Sequence, residues 1–476
     1  MRSFLTYLLA AACLAQARKN KYIVPGATWY DTDGVVLSAH AGGIVQTNGT
    51  WYWFGQDERE EDKNLFSGLN VYSSSDLLNW KNEGRALSPV NGTDIDASRV
   101  VERPKVVFSE QTQEWILWFH SDNSSYGLLQ QGVATSPNIT GPYTFQRAFN
   151  PLGGTSQDFG LFQDVDGQSY ALYSNGDAAE AHDNIIARMN SDFTDVEEVV
   201  YTFPDFDLEA PAIIYTGTHY YILMSHKSGY RSNNVVVFSA DKITGPWSIQ
   251  SFIAPLGTRT FNSQSTMGIT VNGSSTTTHL YCGDQWATAK TLYDSRYMWL
   301  PATIDESTSS FTVDWHDLYS IDTATGEVTY PEGTVYEAED GVLSGSAYIT
   351  TCPSCANNAI VTGIDANSSV TFTGIAGTGN PQWVTVYYHN PDGLWGDNRS
   401  GTGQTFILWR NATVSVNDED PVTIRQLSGS SGIILSQPLN VTFASGFDNT
   451  LTIAGVSGLV ADIDSIVVYD DIYGED

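Results

Sequence analysis

From about residue 22 onward one pattern recurs: a polar turn carrying Gly or Asn, then a short aromatic-rich strand that ends in small or polar residues. Thr47-Asn48-Gly49-Thr50 precedes Trp51-Tyr52-Trp53-Phe54-Gly55, and Thr112-Gln113-Glu114 precedes Trp115-Ile116-Leu117-Trp118-Phe119. Asp166-Gly167-Gln168 leads into Tyr170-Ala171-Leu172-Tyr173, Thr216-Gly217-Thr218 into Tyr220-Tyr221-Ile222-Leu223, and a weaker copy stands at His279-Leu280-Tyr281. Turn residues followed by strong strand formers predict hairpins. The copies recur roughly every 50 to 65 residues, the spacing of one antiparallel propeller blade, so five copies predict five blades. A β-sandwich with irregular loops is the other architecture these strands would suit.

Near Pro331-Glu332-Gly333-Thr334 the aromatic repeat stops, and Tyr336-Glu337-Ala338-Glu339-Asp340-Gly341 opens a different text. Alternating strands over 369–372, 383–388, 412–416 and 464–469, separated by Gly- and Ser-rich turns, predict one β-sandwich. The expected organisation is all-β: a five-bladed β-propeller over residues 18–330, then a β-sandwich (jelly-roll) module over 335–476. Aromatic residues at 12%, 42 glycines and only 16% charged residues agree with strands and turns rather than helices.

Residues 1–17 have the order of a secretory leader: Arg2, an apolar run from Phe4 to Leu14, then Ala15-Gln16-Ala17. The run is too short for a membrane span, which makes an exported, extracellular protein the expectation. Nine sequons, at Asn48, Asn91, Asn123, Asn138, Asn272, Asn367, Asn398, Asn411 and Asn440, fit a glycoprotein. Once the leader has gone, Cys282, Cys352 and Cys355 remain; in an oxidising compartment Cys352 and Cys355 are placed to close a local disulfide, leaving Cys282 free and buried. A formal net charge of −32 argues against nucleic acid or an anionic membrane as partner and leaves neutral polymers open.

In Val100-Val101-Glu102-Arg103-Pro104-Lys105 a charged cluster interrupts what would otherwise be one buried strand, a costly arrangement unless the charges pair or do chemistry. Asp158, in Ser156-Gln157-Asp158-Phe159-Gly160, and Glu209, in Leu208-Glu209-Ala210-Pro211, precede later hairpins by a similar interval. Any one of these acids alone suits an ordinary ion-paired carboxylate. Equivalent placement in successive blades would bring the three together on a central channel. Convergent carboxyl groups are what glycosidic cleavage requires, one protonated for the leaving oxygen and another ionised to serve water or attack carbon.

Through Val101-Glu102-Arg103-Pro104-Lys105-Val106, Trp118-Phe119-His120-Ser121-Asp122, Phe162-Gln163-Asp164-Val165-Asp166-Gly167 and Leu208-Glu209-Ala210-Pro211, the chain resembles glycoside hydrolase family 43, and more closely its exo-β-1,3-galactanase branch. The resemblance implies a five-bladed propeller that hydrolyses with inversion, with Glu209 as general acid and Asp158 as the acid-orienting group. Most of that family carries a general-base Asp in the first blade, where this chain reads Ser38-Ala39-His40-Ala41-Gly42-Gly43-Ile44. In the galactanase branch, which also lacks it, residues matching Glu102 and Gln264 are implied to hold the attacking water. Glu102 is chemically the better base, because a neutral amide accepts a proton poorly. Arg103 and Lys105 are expected to hold the Glu102 charge in place. Gln56, Tyr126 and Trp286, just after aromatic strands, suit either sugar contacts or ordinary packing. His40, His120 and His226 are strand-end histidines, expected to be structural.

The second domain resembles carbohydrate-binding module family 35, on Tyr336-Glu337-Ala338-Glu339 near its start and Ala461-Asp462-Ile463-Asp464 near its end. That resemblance implies a structural Ca²⁺ on Glu337, Glu339 and Asp464, and sugar contacts from Arg410 and Asp462. No cofactor is expected for the chemistry itself. The expected function is a monomeric, secreted hydrolase of the β-1,3-galactan main chain of arabinogalactan. The alternatives are an α-L-arabinofuranosidase or β-xylosidase of the same fold, or a glycan-binding protein without catalysis.

Overall fold

The computed structural model describes residues 19–471 apart from 60–63, 177–178, 180, 288–291, 393–394, 397–404 and 407. The expected leader over 1–17 and the sequon at Asn398 lie outside the described residues. Among the described residues no helix is long and apolar enough to cross a membrane.

Five antiparallel four-stranded sheets follow one another along the chain. Their innermost strands are His40–Thr47, Val100–Ser109, Gln157–Gln163, Leu208–Tyr215 and Gln264–Asn272. Each of these strands touches the next, and the fifth touches the first, so the sheets close into a ring of five blades. A pair of backbone hydrogen bonds between Ile23 and Tyr319, at 2.8 and 3.0 Å, ties the chain's early segment to the end of the repeat.

The aromatic strands are apolar on both faces because each blade has a neighbour on either side. In Thr50–Gln56 alternate residues point oppositely. Trp51 and Trp53 enter a cluster with Met267, Leu280 and Trp299 of the fifth blade, while Phe54 enters one with Val101, Leu117 and Phe119 of the second. Three further clusters fill the remaining gaps between neighbouring blades in the same manner. Two inner-strand glycines permit the close approach at the axis. A Cβ on Gly160 would stand 2.1 Å from the carbonyl oxygen of Pro211, and one on Gly43 2.8 Å from that of Pro104.

All five innermost strands share a feature that the hydrophobic pattern does not announce. Near its start each carries an extra residue relative to its partner strand, between His40 and Gly43, Glu102 and Lys105, Gln157 and Phe159, Glu209 and Ala212, and Ser265 and Met267. In four of them a non-glycine residue at the bulge takes a left-handed backbone: Ala41, Arg103, Asp158 and Ala210, with φ of 50°, 55°, 41° and 57°. A bulge bends the strand and re-aims side chains, and such backbone costs about 1 kcal/mol or more per residue unless its surroundings hold it.

Beyond the ring, two sheets face each other across one apolar core. Thr334–Glu337, Tyr348–Thr351, Ala359–Thr362, Pro381–His389, Leu435–Thr442 and Asp462–Asp471 form the first; Val342–Ser344, Ser369–Gly377, Trp409–Val416, Val422–Leu427 and Gly446–Gly455 form the second. Cys352 and Cys355 are joined in a disulfide and Cys282 is free and buried, as their spacing suggested. This module is fastened to the ring: Tyr387 and Tyr469 each donate at 2.8 Å to the buried Asp317, and Arg259 donates to the carbonyl oxygen of Ser428 at 3.1 Å.

Candidate active site

One small pocket at the ring's axis is lined by Ala41, Gln56, Glu102, Arg103, Tyr126, Asp158, Glu209, Tyr230, Gln264 and Trp286. Every candidate the sequence suggested for the propeller therefore converges there, each acid delivered by the bulge of its own blade. Adjacent residues on a regular strand face opposite ways. The second-blade bulge instead lets Glu102 and Arg103 both reach the pocket.

Arg103 organises one side. Its guanidinium grips Asp158 with Nε to Oδ1 at 2.9 Å and Nη2 to Oδ2 at 3.2 Å, and Nη2 also donates to Gln264 Oε1 at 2.7 Å. Burial alone would raise the Asp158 pKa, but the charge and hydrogen bonds of Arg103 outweigh it and hold the carboxyl below its usual range. Asp158 is also hydrogen-bonded to Glu209. Two carboxyl groups so placed need one proton between them, and the lowered pKa of Asp158 makes Glu209 the partner suited to carry it.

Gln264 Nε2 donates to Glu209 Oε1 at 2.7 Å, while Gln264 Oε1 accepts from both Arg103 and Trp286 Nε1, the latter at 2.9 Å. Arg and indole nitrogens only donate, so the amide's orientation is fixed and its oxygen lone pairs are occupied. Gln264 is thus the orienting bridge between the acid and the Arg103–Asp158 pair.

The Glu102 carboxylate lies on the other side. Tyr126 donates to Oε1 at 2.8 Å, the Tyr230 hydroxyl lies 3.4 Å from the same oxygen, and His120 Nδ1 stands 3.3 Å from Oε2. Burial, then the Glu102 charge, pushes both tyrosine pKa values well upward, so both hydroxyls remain donors. The two lysine and arginine neighbours differ from expectation. Arg103 serves Asp158, and Lys105 donates its Nζ to the carbonyl oxygen of Ala41 at 3.1 Å with its pKa depressed by burial and then by Arg103. His120, expected to be merely structural, is the cation that faces Glu102.

Two residues of this neighbourhood were not foreseen. Tyr230 sits on the loop after the second strand of blade four, with no motif to mark it. Glu58 follows Gln56 inside an acidic run that reads as a solvated turn, yet burial, then the Glu102 charge, raises its pKa to about 8. Gln56 Nε2 donates to Glu58 at 3.0 Å, and Gln56 Oε1 accepts the Arg103 backbone N–H at 3.2 Å. The first blade thus brings a carboxyl close to the site from just past its second strand rather than from its innermost one.

Among the described residues, Glu102, His120 and Asp158 form the grouping compact enough for a metal, their atoms lying within 4.8 Å. Both His120 nitrogens are already committed to carboxylates, Nε2 to Asp122 at 3.1 Å, which leaves no imidazole lone pair for an ion. In the second domain, Glu337 is raised in pKa by burial, then by Glu339 and Asp464, and Asp464 is raised by burial. Buried oxygens of Glu337 and Glu339 have no hydrogen-bond partner. Orphaned, mutually repelling carboxylate oxygens fit a hard cation. Arg410 is bound to Asp392 through Nε at 3.0 Å and Nη2 at 2.6 Å and to the Val460 carbonyl oxygen at 3.0 Å, and Asp462 interacts with it electrostatically.

Residues 32–295 match the glycosyl hydrolases family 43. The chain is 36% identical to an exo-β-1,3-galactanase from Phanerochaete chrysosporium solved with galactose, over 94% of this chain and 100% of that one, with a TM-score of 0.85. The same fungal protein has also been solved with β-1,3-galactotriose. An exo-β-1,3-galactanase from Clostridium thermocellum shares the fold, with a TM-score of 0.61 at 23% identity over 88% of this chain and all of that one. A xylan 1,3-β-xylosidase from a Vibrio species is 26% identical over 200 residues, 39% of this chain and 36% of that protein, so the match spans about a third of its length.

Proposed function

The chain belongs to glycosyl hydrolase family 43, and from that premise we propose that it is an exo-acting β-1,3-galactanase working on the galactan main chain of arabinogalactan with inversion. The observation that carries the chemistry is Glu209 set beside an Asp158 whose carboxyl Arg103 grips and holds below its usual range. The likeness to the galactose-bound fungal enzyme over nearly the whole chain supports the sugar.

In this reading galactose occupies the axial pocket with its ring against Tyr126, Tyr230 and Trp286. Glu209 gives its proton to the glycosidic oxygen as the bond to the anomeric carbon breaks. Water enters from the opposite face and gives up its proton to Glu102, while Gln264, whose oxygen is already occupied, contributes only the amide N–H not given to Glu209. Asp158 aims Glu209 and, as an anion locked by Arg103, favours its protonated form before the transfer.

The second domain is read as a carbohydrate-binding module of family 35, with Ca²⁺ on Glu337, Glu339 and Asp464 and sugar contacts at Arg410 and Asp462. The ion would be structural there, neutralising buried carboxylates and joining the two ends of the domain. Secretion as a monomeric glycoprotein, with the leader removed after Ala17, completes the reading.

The test is incubation of the purified chain with β-1,3-galactan, arabinan and xylan, following released sugars and their anomeric form by NMR. Galactose released first as the inverted anomer is the expected result. Arabinose or xylose release would reassign the specificity, binding without release would favour a lectin-like role, and a retained anomer would sink the inverting scheme.

A further inference from the structure

Beside the proposed acid lies a second buried charge system. His120 and Asp122 both sit on the strand Glu114–Asp122, two residues apart and wholly enclosed. The imidazole is clamped between two carboxylates, Asp122 at Nε2 (3.1 Å) and Glu102 at Nδ1 (3.3 Å). Each contact needs an N–H, so the ring is the doubly protonated imidazolium. Enclosing His120 and Asp122 beside the half-buried Glu102 is costly.

Asp122 does more than face the histidine. Its Oδ1 accepts the backbone N–H groups of Asn123 and Leu128, each at 2.8 Å, and its Oδ2 that of Leu129 at 3.0 Å. These bonds fold the loop that carries Tyr126, whose hydroxyl reaches the free oxygen of Glu102 at 2.8 Å. Both oxygens of Glu102 are therefore held, one by His120 and one by Tyr126, and both holders trace back to Asp122.

We propose that His120 and Asp122 are positioning residues that aim the Glu102 carboxylate and couple it to the Tyr126 loop, so that the water-holding half of the site is set as one unit. The inference rests on the reading of Glu102 as a water-holding group. The charged or titratable groups facing His120 are Glu102 and Asp158 on neighbouring inner strands, Asp122 on its own, and Tyr126 on the loop. Burial opposes the imidazolium, but the hydrogen bonds to Asp122 and Glu102 prevail and raise its pKa to about 9. The imidazolium is thus kept at neutral pH.

The test uses the full chain and short β-1,3-galacto-oligosaccharides. kcat and KM are measured for His120→Gln, Asp122→Asn, Glu102→Gln and the double variant His120→Gln/Glu102→Gln. Asp122→Asn keeps a carbonyl oxygen for the Asn123 and Leu128 N–H groups but turns a donor toward Nε2 and the Leu129 N–H; it carries the test if His120→Gln does not fold. The expected result is a drop of about 10- to 100-fold in kcat for each single variant of the pair, with KM changing less. In the Glu102→Gln background His120→Gln should then add less than about 3-fold. Losses that multiply in the double variant, or pair variants with normal kcat beside a crippled Glu102→Gln, would overturn the coupling alone. A Glu102→Gln enzyme with near-normal kcat would instead sink the water-holding role of Glu102 itself.

Discussion

Replacing Arg103 with Met tests the physical argument at its most exposed point. The substitution keeps the aliphatic stem but removes the charge from a side chain only 4% exposed, abandoning Asp158, itself 9% exposed, in the same enclosure. Breaking one partner of a buried, well-formed ion pair costs about 3–5 kcal/mol, because the remaining charge loses its compensation. Gln264 Oε1 and the Ser265 carbonyl oxygen lose a donor as well, adding about 1 kcal/mol each. At about 2–4 °C per kcal/mol for a domain of this order, the propeller transition should fall by roughly 10 °C or more at neutral pH. Scanning calorimetry is the suitable assay, since a two-domain chain need not melt in one step and the propeller transition must be followed by itself.

The pH dependence has a definite sign. Asp158 has a lowered pKa in the folded protein, so the pair's stabilisation is present above the unfolded carboxylate value and is lost as pH falls through the lower folded value. Without Arg103 the buried Asp158 carboxyl is raised instead, and its ionisation opposes folding as pH rises. The deficit of Arg103→Met should therefore be large at pH 7 and shrink toward pH 4. Asp158→Asn placed on top of Arg103→Met should restore part of the loss by removing the stranded charge. A melting point within about 2 °C of the native protein at pH 7, or a deficit that grows in acid, would refute the account.

Three shorter predictions follow from the same geometry. Glu209→Gln should lower kcat on galactan by about 10²- to 10⁴-fold with little change in KM, and a substrate with a strongly acidic leaving group should recover much of the rate. Because Glu58 is raised to about 8, its burial costs the native protein stability progressively from near pH 4.5 up to pH 8; Glu58→Gln should melt higher than the native protein at pH 9 and equally at pH 4, and an equal melting point at both would count against an enclosed carboxyl. Chelation by EDTA should lower the melting transition of the second domain, and Glu339→Ala should lower it by a similar amount and remove the chelator effect; a transition indifferent to both would exclude the cation site.

How much of this was legible in the chain depended on whether the signal was local. The aromatic hairpins were, because each second strand must be apolar on both faces and so stands out as an unbroken run such as Trp115 to Phe119. Glu102, Asp158 and Glu209 are legible by their similar distance ahead of those runs. What they do to one another was hidden. Arg103 follows Glu102 in sequence but pairs with Asp158, 55 residues away, because the bulge turns it inward. Glu58 was lost in a charge run of a kind that is normally solvated, and Tyr230 in a loop without periodicity. The acids of the second domain were suggested by resemblance alone, since alternating strands with polar turns do not say which carboxylates meet.

The repeated bulge gives the ring the logic of a five-position turret. Each blade presents its axial residue through the same left-handed or bulged step, so the backbone position of each side chain is set within its own blade even where the side chains then pair across blades. Four positions carry reactive or guiding groups at or beside the step: Glu102 with Arg103, Asp158, Glu209, and Gln264. The first carries Ala41, a methyl group facing the same pocket. A different side chain mounted there would be aimed at the substrate by backbone geometry already in place, which makes the first blade the natural position at which this scaffold can exchange one hydrolytic repertoire for another.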